Sequence, residues 1–423
     1  MDLFSKTKGL GIVNTLRQAG LYPFYRILEG TIGNNVKYHG KNLVMMSSNN
    51  YLGLTHDPRV IEASVNALRY WGTGCTGSRA LNGNLALHEE LEKKIAEFYG
   101  AESALVFASG FLANQGAITA LAGADDHIFS DEENHACIIE GCQLAEGKIH
   151  VYRHGDMKHL EELLQSVPLD SGKLIITDGV FSMTGHMAPY DQIYKLAKQY
   201  NARTYIDDAH GLGVVGKGGR GTASHFGLPA DIIMGTFSKS LASQGGFIVA
   251  TPDVIDWLRH KARTFVFSAA LAPASTAAAL KSLEILTSDP CRVEKSAANA
   301  AYLKRGFEQL GLNTLGSPST IIPVFIGDDS VTLGVCQNLL QLGVFTTPVV
   351  YPAVPKGNAL IRCSVMPTHT KEDLDIALNA FKRVAPAILA AYQAPNKTAL
   401  ADELNNMGQP LTVQTHQGIQ PQA

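Results

Sequence analysis

The chain has 423 residues, 45% of them apolar and 17% charged, with a formal net charge of -3. By length this is a soluble protein of two or three packed units, and nothing in the charge favours a nucleic-acid partner. Six scattered cysteines form no C-x-x-C pair, and no apolar run approaches the ~18 residues of a membrane span, so a cytoplasmic protein with reduced thiols and no metal site is expected.

Residues 1–57 read as an amphipathic helix followed by an aromatic arm, LYPFYRILEG, suited to packing on a neighbouring domain, a second subunit or a membrane surface. From 58 to 285, helical and strand patterns alternate. Leu87, Leu91, Ile95 and Phe98 fall three or four apart, on one helix face. Apolar runs of strand length follow at 104–108, 127–130, 174–177, 204–206, 232–234 and 247–250, with helical stretches such as 189–200 between several of them. That alternation predicts parallel pairing in a buried α/β sheet. Residues 286–394 read as a smaller α+β unit with strands at 321–326, 344–346 and 360–365. From 395 the composition turns polar, and a disordered tail is expected.

Three segments carry chemistry, and one motif must be set aside first. Gly72 to Gly77 satisfies G-x-G-x-x-G, but it follows the helical stretch 60–71, where a dinucleotide fingerprint requires a strand. A loop allowing close backbone approach is the better reading. TYIDDAHGLG (204–213) is a strand ending in two acids, of which alternation lets only Asp207 or Asp208 face a site, the other being free to cap a turn. DIIMGTFSK (231–239) ends a strand in small hydroxyl residues and Lys239. An amine desolvated there suits Schiff-base chemistry. VFASGFLANQ (106–115) places the amides of Gly110 and Phe111 at a helix start, where phosphate binds. An acid, a lysine and a phosphate cup are what pyridoxal 5'-phosphate (PLP) needs from a protein.

These residues carry a resemblance. SNNYLGL (48–54), GTGCTGSRALNG (72–83), SGFLANQ (109–115), DEENHACIIEG (131–141), TDGVFSMTG (177–185), DDAHGLGVVG (207–216), GTFSKSLASQGG (235–246), FVFSAALAP (265–273) and LIRCSV (360–365) resemble, in order, blocks of the α-oxoamine synthases, fold-type I PLP enzymes. The resemblance implies a mainly parallel central sheet, a smaller C-terminal α+β domain and a homodimer with shared active sites. It implies that Lys239 is the Schiff-base lysine and Asp207 the pyridinium partner. His210 would bond the phenolic oxygen, and His135 would stack on the ring. Ser182 would lie near that oxygen. Gly110, Phe111, Thr236 and Ser238 would contact the phosphate, with Ser268 of the second subunit. Arg362 would orient the substrate carboxylate, and Asn50 would line the site near the dimer interface.

The implied reaction is a decarboxylating condensation of an amino acid with an acyl-thioester. GTFSKSLAS, GSRALNG, RCSV and the aromatic arm are most similar to soluble bacterial members that join L-serine to a long-chain acyl-CoA. Members using alanine with pimeloyl-CoA or glycine with acetyl-CoA are the alternatives. VVYPAVPKG (349–357) departs from the family's PPATP-like loop, which puts acyl preference in doubt. A catalytically silent PLP-binding regulator or partner subunit is the reading from a different class. Lys239 is present and no helix-turn-helix or basic stripe accompanies the domain, which argues against it.

Overall fold

The computed structural model describes residues 2–393, so the tail expected from 395 lies outside the described residues. The first segment forms two short helices rather than one: Leu3–Lys8 is a 3-10 turn and Gly11–Gln18 an α-helix. Gly9 and Gly11 flank the break, and glycine is costly in a helix interior.

Three strands then follow inside the segment expected to be helix and arm: β1 (Gly30–Ile32), β2 (Asn35–Tyr38) and β3 (Lys41–Met45). The β2–β3 turn is His39-Gly40, both at positive φ (48° and 74°), the conformation a two-residue hairpin requires.

The large sheet contains β4 (Ser103–Phe107), β5 (His127–Asp131), β6 (Lys148–Tyr152), β7 (Lys173–Asp178), β8 (Arg203–Asp207), β9 (Ile232–Thr236) and β10 (Gly246–Ala250). Their order is β4-β10-β9-β8-β7-β5-β6. The six expected runs are all strands. β6 was not foreseen because it is an edge strand, KIHVY, with Lys148, Ile149 and Val151 exposed, and so lacks a buried apolar run. The sheet is parallel except for β10, antiparallel to both neighbours. No helix separates β9 from β10, and without a crossover the chain must turn back.

Side chains alternate across this sheet into two cores. Ile176 and Tyr205 pack with Ala117, Ile118 and Ile138 from the helices Gly110–Leu121 and Ala136–Leu144. Ile175 and Ile206 point the other way, to Leu160, Leu164, Ile193 and Leu196.

Downstream lie β11 (Ile321–Gly327), β12 (Val344–Phe345), β13 (Thr347–Val349) and β14 (Ala359–Ser364). The single strand expected at 344–346 is two. β13 pairs with β14 and β14 with β11, whereas β12 leaves that sheet to pair in parallel with β3. Arg362 of β14 thereby faces the turn after β3. No helix among the described residues is long and apolar enough to cross a membrane.

Candidate active site

β5, β7, β8 and β9 end, in order, at Asp131, Asp178, Asp207 and Thr236, so the polar chemistry collects at the carboxyl edge of the sheet. Open parallel sheets bind ligands at that edge. A cavity of about 740 Å³ at the opposite edge, lined by Glu102, Lys173, Arg203 and Asp231, touches none of these groups.

The two acids at the end of β8, Asp207 and the following Asp208, have different partners. Asp207 is 2% exposed. Its Oδ2 accepts from Asn114 Nδ2 at 2.6 Å and its Oδ1 from the Ala209 amide at 2.9 Å. Asn114 is itself held by the Tyr205 hydroxyl, which donates to its Oδ1 at 2.8 Å. Asp208 turns away and accepts from the Thr222 amide (2.8 Å) and hydroxyl (2.7 Å). Burial raises its pKa to about 7. A Cβ on Gly221, at φ 81°, would sit 1.9 Å from its Oδ2, which explains the glycine there. Across the strand pair Asp178 lies in register with Asp207 and accepts from the His135 amide at 2.7 Å. Burial, then the Asp207 charge, raises its pKa well above the usual carboxylate range.

Lys239 follows β9 on a tight loop. Burial lowers its pKa, opposed by the Asp207 and Asp178 charges, and among the described residues its ammonium makes no ion pair. A desolvated, unpaired amine is a nucleophile in waiting. Beside it the Thr236 and Ser238 hydroxyls lie 2.9 Å apart. Facing them is the start of the helix Gly110–Leu121, where Ser109 caps the Leu112 amide at 3.1 Å and the earlier amides of Gly110 and Phe111 lack intrahelical partners. A Cβ on Gly110 would lie 3.0 Å from Thr236 Oγ1, so the glycine lets this helix start approach the hydroxyls closely.

His135 caps the helix Ala136–Leu144: its Nδ1 accepts from the Cys137 amide at 3.2 Å. That bond fixes the ring's orientation and leaves the proton on Nε2. Desolvation of the ring, together with the Lys239 charge, holds its pKa below the ordinary value, against the pull of Asp207. His210 is 5% exposed, and burial holds it neutral, well below the usual imidazole range. Its Nδ1 lies 2.7 Å from the Tyr51 hydroxyl. Arg362 Nη2 donates to Tyr51 Oη and to Asn49 Oδ1, both at 2.9 Å, and Nε donates to the Ser182 carbonyl at 2.6 Å.

Lys239, Asp207, His210, His135 and Arg362 therefore share one cluster, with Gly110, Phe111, Thr236 and Ser238 at one end. Ser182 enters it through its carbonyl. The Asn50 amide is engaged within its own turn, by Thr55 Oγ1 and the Leu54 amide, and it is Asn49 that reaches Arg362. Among the described residues no hydrogen bond ties Ser268, beyond the short helix Arg263–Val266, to the cluster. The divergent loop after β13 packs Val354 beside Met183, next to Ser182. Asn49, Tyr51, Asn114 and Asp178 were not singled out from sequence, although all four fall inside quoted blocks. This donor set suits PLP: hydroxyls and free amides for a phosphate, a buried acid for a pyridinium and an amine for an aldehyde carbon.

The chain belongs to the aminotransferase class I and II family, whose model matches residues 41–381. Within it the chain is a PLP-dependent α-oxoamine synthase. It is 48% identical over 381 residues to serine palmitoyltransferase of Bacteriovorax stolpii, covering 89% of this chain and 91% of that one. It is 45% identical over 372 residues to 8-amino-7-oxononanoate synthase of Thermoanaerobacter pseudethanolicus, covering 87% and 94%. A solved structure of SPT with its PLP internal aldimine matches with a TM-score of 0.89 at 34% identity, over 92% of this chain and 99% of that one.

Proposed function

We propose that the enzyme condenses L-serine with a long-chain acyl-CoA, palmitoyl-CoA in the simplest case, to give 3-oxosphinganine, CoA and carbon dioxide. The observation that carries this reading is the 48% identity to a serine palmitoyltransferase across nearly the whole of both chains.

In this reading Lys239 would hold the cofactor through its amine and would take and return the α-proton of the bound amino acid. Bound PLP supplies an electron sink for the negative charge that develops at that carbon. Asp207, aimed by Asn114 and the Ala209 amide, holds the ring nitrogen protonated. His210 donates to the phenolic oxygen, and His135 covers the ring. Gly110, Phe111, Thr236 and Ser238, with Ser268 of a second copy, hold the phosphate. Arg362 takes the amino-acid carboxylate through Nη1, because Nε and Nη2 are engaged within the chain. Ser182 and Asn50 shape the surrounding wall.

The 8-amino-7-oxononanoate synthase relatives favour a second reading, alanine with a pimeloyl thioester. The two are separated by assaying acetyl-, pimeloyl-, octanoyl- and palmitoyl-CoA, each with saturating serine, alanine or glycine. Turnover with serine should rise with acyl length, as each buried methylene contributes about 0.8 kcal/mol. A preference for alanine with pimeloyl-CoA, or for glycine with acetyl-CoA, would replace the proposed substrates. Lys239→Ala should end turnover and remove the borohydride-trapped adduct at that position. A near-native Lys239→Ala enzyme would sink the assigned chemistry.

A further inference from the structure

Tyr51 is fully buried, and its hydroxyl has three neighbours: His210 Nδ1 at 2.7 Å, Arg362 Nη2 at 2.9 Å and Asn49 Oδ1 at 3.1 Å. A phenol has one proton to give and two lone pairs to receive with. Arg362 can only donate, so it occupies one lone pair. Two arrangements remain. In the first, Tyr51 donates to His210 Nδ1, and the histidine proton must sit on Nε2. In the second, Tyr51 donates to Asn49, His210 Nδ1 donates to Tyr51, and Nε2 is left bare.

The distances favour the first: 2.7 Å to His210 Nδ1 is the length of a bond given by a hydroxyl rather than the about 2.9–3.0 Å usual for an N–H donor, and Asn49 Oδ1, at 3.1 Å, already accepts from Arg362. An oxygen already accepting from a guanidinium is also a stronger donor. We infer that Tyr51 is a positioning residue: it fixes His210 in its Nε2–H form, a hydrogen-bond donor toward the cofactor, and ties that donor to the Arg362 carboxylate site. This rests on the reading that His210 and Arg362 serve cofactor and substrate. Among the described residues His210 Nε2 has no partner in the chain, as a group reserved for a ligand should.

The tautomer itself is the test. Full-length protein carrying 15N-histidine, with and without PLP, is read by long-range proton–nitrogen correlation, with His210→Asn identifying the signal. His210 should be Nε2–H in both forms. Tyr51→Phe should drive it to a tautomer mixture and weaken L-serine binding, read from the PLP absorbance, about 3- to 10-fold. Asn49→Ala should leave the tautomer unchanged. An Nδ1–H wild type, or an unchanged tautomer in Tyr51→Phe, overturns the inference. If Tyr51→Phe does not fold, the wild type and Asn49→Ala still decide it. Failure to bind PLP would instead overturn the functional reading while leaving the tautomer result intact.

Discussion

Asp207 and Asp208 are adjacent in sequence yet do opposite work. Asp207 is held at two oxygens on the site side, while Asp208 ties the following loop to Thr222. Asp207→Asn should keep the fold and lose most turnover, because an amide cannot stabilise a protonated pyridine. Asp208→Asn should be milder in turnover but distinct in its pH response. The folded-state pKa of Asp208, about 7, lies above its ordinary 3.8, so the folded form binds the proton more tightly. Its contribution is fully present below pH ~4 and is lost as pH rises through ~7. Thermal unfolding between pH 4 and 8 should show a smaller decline with rising pH in Asp208→Asn than in the wild type. The reverse ranking of turnover would mean that the wrong aspartate has been placed at the cofactor. Strand periodicity left the two acids open. The groups that separate them, Asn114 and Thr222, sit 93 and 14 residues away, and no local pattern reports such pairings.

The elements with the strongest local signal were legible. Buried strands show unbroken apolar runs, and the helix starting at Gly110 is announced by Ser109 and glycine. The short strands β1–β3 and the exposed edge β6 were not, because they carry no long buried apolar run, nor was the split between β12 and β13, because β12 pairs with the distant β3. The antiparallel β10 has a chemical purpose as well. It brings Gly246 against the helix start: a Cβ there would lie 2.5 Å from Gly110 Cα and 2.7 Å from its nitrogen. Gly246→Ala should therefore push the Gly110 and Phe111 amides off the phosphate position. PLP affinity should fall at least tenfold by fluorescence titration, with a stability loss of about 1–3 kcal/mol in urea unfolding. Unchanged affinity would mean that this helix start does not hold the phosphate.

The isolated chain leaves large apolar side chains in water: Tyr25 is 90% exposed, Ile27 83%, Leu81 81%, Tyr70 80% and Phe267 76%. Phe267 adjoins Ser268, which no hydrogen bond among the described residues joins to the site. A homodimer that covers these residues and carries Ser268 to the other copy's phosphate accounts for both facts. Sedimentation should show a dimer, and hybrids of Lys239→Ala with Ser268→Ala should place the two defects on different sites. A fully active monomer would exclude this. The β3–β12 ladder also bears on how the enzyme comes into being. Val44 and Met46 donate to Gly343 and Phe345, about 300 residues further on, and Met46 accepts from Ser364. At ribosomal speeds of roughly 5–20 residues per second, that wait is roughly 15–60 s. The turn bearing Asn49 and Tyr51 follows directly, so its register is set only when the last fifth of the polypeptide emerges. A nascent chain can thus fold its large sheet early and still be unable to grip an amino acid until synthesis is nearly complete. Pulse-labelled amides of Val44 and Met46 should gain protection after those of β5, β7 and β8.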